Sequence, residues 1–273
     1  MISRMAGRLT GKVAIVTGAG SQTEGIGNGR AAAALFAREG ARVLCVDNVL
    51  DRAALTVERI VADGGTASAF EADVSQQPDC EAMTAAALER YGRLDILQNN
   101  VGINSYQALD QITPDAWDQL MAVNVRSAVL AAQAAVPVMT ASGGGSIINL
   151  SSIAAIRAYP AQSTAYTTSK AAIIGLTIAL AAQLGHRKIR VNAIAPGQVY
   201  TPLVALRATP DVRARRASAG VIKEEGTAWD VAWAAVYLAS DESRWVTGQL
   251  LTIDAGLSIT IPGHDYSQGV TVG

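Results

Sequence analysis

Short runs of β-branched and aliphatic residues alternate with longer, alanine-rich stretches along most of this chain. Such alternation is typical of a parallel sheet whose strands are connected by helices. The short runs lack the apolar–polar alternation of a strand with one solvated face, which indicates that both faces of each strand are covered. The pattern predicts an α/β fold with a doubly wound, parallel sheet and helices on both faces.

The boundaries of the short runs predict seven strands in this sheet. They are Val13–Thr17, Arg42–Asp47, Thr66–Glu71, Ile96–Asn99, Ser146–Leu150, Arg190–Ile194 and Gln249–Ile253. Helices are predicted between them at Asn28–Arg38, Leu50–Asp63, Pro78–Tyr91, Pro114–Thr140, Ala165–Leu184 and Thr227–Leu238. No linker interrupts the 273 residues, so a single domain is expected over 1–273. Within it, residues 201–226 are predicted to form a substrate lid and residues 257–273 a polar tail.

Composition and charge exclude several classes of protein. The formal net charge is −1, so neither nucleic acid nor an anionic membrane is an expected partner. The first residues lack the apolar core of a secretory signal, and no uninterrupted apolar run reaches the length of a membrane span, so a cytoplasmic protein is expected. Cys45 and Cys80 have the spacing of neither a metal site nor a redox pair. We predict two free, buried thiols and no metal.

A glycine-rich segment follows the first predicted strand and leads directly into a helix. It reads Thr17-Gly18-Ala19-Gly20-Ser21-Gln22-Thr23-Glu24-Gly25-Ile26-Gly27. Such a turn lets backbone N–H groups and the helix dipole meet a pyrophosphate. Glycines alone are also compatible with a loose connection between strand and helix, so the prediction of a dinucleotide site needs a second feature.

Asp47 supplies that second feature, because it ends the second predicted strand. An acidic side chain at this position can accept hydrogen bonds from an adenosine ribose and repels a 2′-phosphate. Glu24 adds negative charge in the glycine loop, and Asn48 rather than an arginine follows Asp47. These residues favour NAD over NADP. The alternative interpretation of Asp47 is a helix N-cap or a solvated strand end.

The second half of the chain carries the candidate reactive groups. Tyr166 and Lys170 are four residues apart on a predicted helix, so they share one face, and an ammonium beside a phenol lowers the pKa of the phenol. Ser151 and Ser152 follow a strand at the carboxyl edge of the sheet, where open parallel sheets bind ligands. Asn124 is predicted to lie in a helix nearby. This set is suited to proton transfer at a substrate oxygen.

Taken together, these motifs resemble the short-chain dehydrogenase/reductase family from about Leu9 to Gly256. The resemblance implies a Rossmann-like fold and a catalytic tetrad of Asn124, Ser152, Tyr166 and Lys170. It implies that the serine polarises the substrate oxygen and the tyrosine exchanges its proton. The lysine would hold the ribose and lower the pKa of the tyrosine, and the asparagine would anchor a water. Hydride would pass directly to or from nicotinamide, without a metal.

The same resemblance implies the contacts of NAD. They are Gly18, Gly25, Ile26 and Gly27 at the phosphates, Asp47 at the ribose, Asp73 and Val74 at the adenine, Asn100 and Gly102 on the adenosine side, Tyr166 and Lys170, and Pro196, Val199 and Thr201 near nicotinamide. Three features depart from the family pattern. Six residues rather than three separate Gly18 from Gly25, Val101 replaces the usual alanine, and one extra residue between Ser152 and Tyr166 leaves Ser151 as a substitute.

Substrate recognition is the least constrained part of the prediction. Asn104, Arg157, Tyr159 and Gln198 are candidate substrate residues, although Arg157 is also compatible with a solvated surface role. A polyol, a cyclic ketone, a steroid-like alcohol and a hydroxyacyl compound all remain open. The main expectation is an NAD-dependent oxidoreductase of secondary alcohols and ketones. The alternatives are a 3-oxoacyl-thioester reductase and a non-catalytic dinucleotide sensor. The resemblance also implies a homotetramer built on the long helices and the last strand.

Overall fold

The structure is a computed structural model that describes residues 7–21, 23–157 and 163–260. Tyr159 and residues 261–273 of the predicted tail lie outside the described residues. Seven parallel strands form one sheet in the order β3-β2-β1-β4-β5-β6-β9. They are β1 (Val13–Thr17), β2 (Arg42–Asp47), β3 (Thr66–Glu71), β4 (Ile96–Asn99), β5 (Gly145–Leu150), β6 (Ile189–Pro196) and β9 (Leu250–Ile253). The predicted parallel sheet is confirmed.

A second, two-stranded sheet stands apart from the first and was not predicted. It joins β7 (Val199–Tyr200) to β8 (Gly226–Thr227) in parallel. Strands of two residues leave no periodic signal, so sequence patterns cannot indicate them. This pair ties the two ends of the predicted lid, residues 201–226, to each other.

The helices cover both faces of the sheet. They are α1 (Asn28–Arg38), α2 (Leu50–Ala62), α3 (Gln77–Tyr91), α4 (Pro114–Met121), α5 (Ser127–Ala141), α6 (Thr164–Leu184), α7 (Pro202–Ala205), α8 (Pro210–Ala219) and α9 (Ala228–Ala239). One buried cluster lies against α1 and α9 and includes Phe36. The other lies against α3, α5 and α6 and includes Met83 and Met139. Alanines on these helices allow close packing on the strands.

The prediction of one unbroken helix from Pro114 to Thr140 was wrong in its middle. A π-helical turn, Ala122–Arg126, separates α4 from α5. A π-turn inserts one residue into the helical repeat and is often found at functional sites. Apolar periodicity does not reveal such an insertion, because the pattern on either side stays helical.

Two long helical segments carry apolar outer faces. By length and composition alone, two helical segments are apolar enough to cross a membrane, Pro114–Ala141 and Thr164–Arg187. The sequence analysis did not indicate them, because polar residues interrupt both segments. Core helices of soluble proteins pass the same test, and part of each segment packs on the sheet. Val129 and Ile178 remain 40% and 55% exposed. These side chains are therefore available for contact with another protein surface.

The strand order creates a crevice at one edge of the sheet. The chain proceeds from β1 to β2 and β3 on one side, whereas β5, β6 and β9 lie on the far side of β4. Connections after β1 and β4 therefore diverge at the carboxyl ends of these strands. Open α/β sheets bind their ligands at such a point.

Candidate active site

One cavity of about 520 Å³ occupies this crevice. Fourteen of the predicted cofactor, catalytic and substrate residues line it, from both the proposed cofactor end and the proposed reactive end, and so does Ser151, the predicted substitute for Ser152. They are Gly18, Gly27, Asp47, Asp73, Val74, Asn100, Gly102, Asn104, Ser152, Tyr166, Lys170, Pro196, Val199 and Thr201. Residues that are far apart in the sequence thus meet around one space.

The glycine loop closes tightly at the cofactor end of the cavity. Gly18 has φ +62° and Gly25 has φ +114°, conformations that favour glycine. A Cβ on Gly29 would lie 2.0 Å from the carbonyl oxygen of Gly18, so α1 approaches the loop too closely for a side chain there. The Asn100 amide donates to the same Gly18 carbonyl at 3.1 Å. Gly27 is the N-cap of α1, as the sequence indicated.

The Asp47 carboxylate accepts hydrogen bonds from two backbone N–H groups at the mouth of the cavity. Its carboxylate accepts hydrogen bonds from the N–H of Gly20 at 3.1 Å and from that of Val49 at 3.2 Å. A side chain on Gly20 would place its Cβ 2.6 Å from Asp47 Oδ2. Arg52 lines the same end of the cavity and brings a positive charge that sequence reasoning did not consider. Asp47 is therefore fixed where a ribose would meet it.

Unsatisfied polar atoms provide a test of whether a dinucleotide fits. Among the described residues, the side-chain oxygens of Asn28 and Asn100 are buried without a hydrogen-bond partner, and both residues line the cavity. A buried acceptor without a donor is costly, so it indicates a missing donor. Ribose hydroxyls and nucleobase or carboxamide N–H groups supply such donors, and the N-terminus of α1 suits a phosphate. The cavity fits a dinucleotide.

Lys170 is buried at the opposite end of the cavity. Its Nζ donates to the carbonyl of Leu150 at 3.0 Å. Burial lowers the pKa of Lys170 to about 8, because desolvation penalises the charged form. A Cβ on Gly102 would lie 3.0 Å from Nζ, so a side chain there would crowd the ammonium. The lysine is held rigidly on the side facing the cavity.

Tyr166 lies one helical turn before Lys170 on α6 and faces the same cavity. The Nζ of Lys170 is 5.7 Å from the centroid of the Tyr166 ring. The phenol is partly exposed, whereas the lysine is almost fully buried. This geometry fits the spacing argument, since a positive charge close to the ring stabilises the phenolate.

The two serines after β5 have different partners. Ser151 donates its hydroxyl to the carbonyl of Lys170 at 2.8 Å, so its proton is used within the protein. Ser152 accepts from the N–H of Ala154 at 3.1 Å. A hydroxyl that accepts in this way retains its own proton to donate. Ser152 is therefore the better placed of the two to bind a substrate oxygen.

Asn124 lies in the π-helical turn, behind the residues that line the cavity. Its Oδ1 accepts from the N–H of Ile103 at 2.8 Å, and its Nδ2 donates to the carbonyl of Ile103 at 2.9 Å and to Ser169 Oγ at 3.0 Å. These bonds clamp the loop after β4 against α6. The side chain thus positions the loop and Gly102 rather than contacting a substrate directly.

The predicted substrate residues divide into two groups. Asn104 lines the cavity and donates to the hydroxyl of Tyr106 at 3.1 Å, and the Arg207 guanidinium stacks on the Tyr106 ring at 4.3 Å. Arg157 instead donates to the carbonyls of Leu257 and Thr260, so it fastens the C-terminal segment. Gln198 does not line the cavity, although its side-chain oxygen is buried without a partner in the described chain.

The lid is anchored by one carboxylate. Glu225 forms ion pairs with Arg213, at 3.0 Å, and with Arg216. Arg216 also donates to the carbonyl of Val199 at 2.9 Å. Two arginines of α8 therefore hold this helix to β7 and to the residue that precedes β8.

Gly25 and Ile26 are two of the predicted cofactor contacts. Gly25 and Ile26 do not line the cavity, so the lengthened loop approaches it through Gly18, Gly20, Ser21 and Gly27.

Cys45 and Cys80 are free and buried, as predicted. Burial raises the pKa of Cys45 to about 12 and that of Cys80 to about 11, which makes both thiols unreactive.

Several residues around the cavity were missed by sequence reasoning. Asn28, Gly29 and Arg52 line it, and Arg30 and Thr56 support the glycine loop from behind. One signal was present in the sequence. An arginine among the alanines of a helix that packs on the sheet marks a charged group in a buried position.

A family model and a protein of known name both match most of this chain. The family model described as enoyl-(acyl carrier protein) reductase covers residues 20–258. The 3-oxoacyl-[acyl-carrier-protein] reductase of Thermotoga maritima is 36% identical over 252 residues, which are 92% of this chain and 100% of that protein.

Two solved structures extend the comparison. A candidate short-chain dehydrogenase/reductase from Burkholderia xenovorans has a TM-score of 0.89 and 38% identity, covering 94% of this chain and 100% of its own. A 7α-hydroxysteroid dehydrogenase in complex with NADH and 7-oxo glycochenodeoxycholic acid has a TM-score of 0.86 and 35% identity, covering 91% and 95%. Both similarities extend over nearly the whole chain. The protein therefore belongs to the short-chain dehydrogenase/reductase family of oxidoreductases, with a cavity that takes a nicotinamide dinucleotide.

Proposed function

We propose that this protein is an NAD-dependent oxidoreductase that interconverts a secondary alcohol and a ketone. The observation that carries the proposal is the meeting of Ser152, Tyr166 and Lys170 at one end of a cavity whose other end holds Asp47. A bound nicotinamide would supply the hydride acceptor or donor. The protein supplies the proton transfer and the positioning.

Each reactive residue has a distinct role in this proposal. Ser152 donates a hydrogen bond to the substrate oxygen, which polarises a carbonyl or orients a hydroxyl. Tyr166 gives or takes the proton at that oxygen. The charge of Lys170, close to the Tyr166 ring, stabilises the phenolate that forms when this proton leaves. Asn124 keeps the loop after β4 in place beside them.

Asp47 supports NAD as the preferred dinucleotide. Its carboxylate is held by Gly20 and Val49 at the cavity mouth, where a 2′-phosphate would meet a like charge. Arg52 favours NADP instead, since it lines the same end of the cavity and carries a positive charge. The two side chains thus favour different dinucleotides. We expect Asp47 to decide the preference, because two backbone hydrogen bonds hold its carboxylate in place.

We expect NAD to be used with a higher kcat/KM than NADP. Replacing Asp47 by Ser is expected to shift the ratio of the two kcat/KM values toward NADP by about tenfold or more, because it removes the like charge. The measurement is reduction at 340 nm with both cofactors across secondary alcohols, polyols, hydroxysteroids and hydroxyacyl thioesters. Asp51→Ser, on the first turn of α2, is the matched control. An NADP preference in the unmodified protein would contradict this prediction.

A second candidate function is reduction of a 3-oxoacyl thioester. The matching family model and the Thermotoga maritima relative both carry acyl-carrier-protein reductase names. The same serine, tyrosine and lysine serve that reaction. Turnover of a 3-oxoacyl thioester with NADP, at the expense of the simple alcohols, would favour this function over the first.

We also propose that the protein is a homotetramer. The exposed apolar side chains on α5 and α6 support one interface, and Trp229 and Trp233 of α9, 38% and 41% exposed, support another. Two self-complementary faces on one subunit generate a closed assembly with dihedral symmetry.

Light scattering is expected to give a mass near four times 28.3 kDa. Ile178→Arg is expected to halve this mass, because a buried unpaired charge disfavours the α5–α6 contact. Arg187→Ala, beyond the end of α6, is the control and should leave the mass unchanged. A monomer in the unmodified protein would refute the assembly.

A further inference from the structure

Arg30 is a buried arginine that the proposed chemistry does not use. The residue is 3% exposed in the first turn of α1, directly before four alanines. Among the described residues no carboxylate lies within ion-pair distance of its guanidinium. Burial lowers the pKa of Arg30, with Arg59 acting in the same direction and Asp47 opposing it. A buried cation without an acidic partner is costly, so its presence calls for a compensating role.

The hydrogen bonds of Arg30 reach the glycine loop at two points. One terminal nitrogen donates to the carbonyl of Gly25 at 2.8 Å, and Nε donates to Thr56 Oγ1 at 2.9 Å. Thr56, fully buried on α2, donates in turn to the carbonyl of Ala19 at 2.8 Å. Arg30 and Thr56 therefore connect the beginning and the end of the lengthened loop.

These bonds also fix the direction of two backbone N–H groups. A trans peptide is planar, so its N–H points opposite to its C=O. Because Thr56 holds the carbonyl of Ala19, the N–H of Gly20 points the other way, and it donates to Asp47. Because Arg30 holds the carbonyl of Gly25, the N–H of Ile26 likewise points away from Arg30.

We propose that Arg30 and Thr56 form a brace that shapes the glycine loop for the dinucleotide. The brace is a positioning device, since neither residue lines the cavity. It holds the Gly20 N–H on Asp47 and keeps the Ile26 N–H on the side of the loop that faces away from Arg30. This inference deepens the proposed function and rests on it. It explains how the two ends of the lengthened loop, at Ala19 and at Gly25, are held in place.

The expected result is a loss of dinucleotide affinity with little loss of maximal rate. Arg30→Met should raise the Kd for NADH, measured by its fluorescence, about tenfold or more, and Thr56→Val about threefold or more. The KM for NAD should rise in parallel, whereas kcat at saturating NAD and the KM for the alcohol should change by less than about threefold. In the double variant the Kd should match that of Arg30→Met, because both changes break one network.

Three further variants separate the effect of the brace on NADH affinity from a general effect on folding. Thr56→Ser retains the hydroxyl and should bind NADH like the unmodified protein. Arg38→Met, on the exposed last turn of α1, makes the same chemical change outside the network. Arg30→Lys retains the charge but lacks the fork that reaches both partners, so its affinity should stay reduced.

Several outcomes would overturn the proposal. Full recovery of affinity in Arg30→Lys would assign the effect to charge alone. Unchanged NADH affinity in Thr56→Val would also refute the brace, and this variant settles the question even if Arg30→Met does not fold. An unmodified protein that binds neither NADH nor NADPH would overturn the proposed function and the brace together.

Discussion

Replacing Tyr166 by Phe is expected to reduce kcat by roughly 10²- to 10⁴-fold, the range that general acid–base catalysis contributes. The substitution removes the group that exchanges a proton with the substrate oxygen and leaves the ring in place. NADH affinity should change by less than about threefold, because the cofactor contacts of the loop and of Asp47 are retained. Steady-state kinetics and fluorescence titration of NADH measure the two quantities separately.

Tyr237→Phe is the control for this variant. It removes a hydroxyl from α9, on a part of the fold that does not line the cavity. A Tyr166→Phe protein with undiminished turnover would remove the tyrosine from the mechanism. If the unmodified protein bound NADH tightly but turned over no alcohol or ketone, the non-catalytic sensor would become the better interpretation.

Replacing Lys170 by Met is expected to slow turnover strongly and yet stabilise the protein without cofactor. The ammonium supports the phenolate of Tyr166, so its loss should reduce kcat by about 10²-fold or more. Its pKa of about 8, against an ordinary value of 10.5, corresponds to a cost of about 3 kcal/mol at neutral pH. Methionine has a similar length and removes this cost, although the hydrogen bond to Leu150 is lost. Thermal unfolding of the two proteins gives the comparison.

The stability difference should depend on pH in a defined direction. The pKa of Lys170 is lower in the folded than in the unfolded protein, so between about pH 8 and 10.5 the unfolded chain binds more protons. The unmodified protein therefore becomes relatively more stable as pH rises through this window, and at pH 9.5 the advantage of Lys170→Met should fall to about half its value at pH 7. Lys188→Met, at an exposed lysine, should show no such trend. A constant difference would contradict the assignment to Lys170.

Much of the site was predictable because its signals are local. The glycine loop, Asp47 at a strand end, and Tyr166 with Lys170 at helical spacing each depend on residues close together in sequence. The topology of a parallel sheet then brings strand ends to one edge, so these groups meet without any further information. The fold was predictable for the same reason.

The unpredicted features depend on contacts that no local pattern contains. The π-helical turn at Asn124 exists where that side chain reaches Ile103 and Ser169, on two other segments. Arg30 finds its partner Thr56 on the next helix. Arg157 was a candidate substrate residue for which a solvated role was the favoured alternative, and its partners lie about 100 residues away. Choosing among such roles requires the three-dimensional neighbours.

The bond from Arg157 to the chain after β9 has a consequence for redesigning this enzyme. Besides the local backbone bonds of residues 153–157, the segment that follows Ser152 is anchored through Arg157 to the backbone at Leu257 and Thr260. Moving this segment alone into a relative would therefore transfer the Arg157 anchor without the carbonyls that accept from it. Loop and C-terminal segment form one module, and grafts that move them together should retain the geometry that either graft alone would lose.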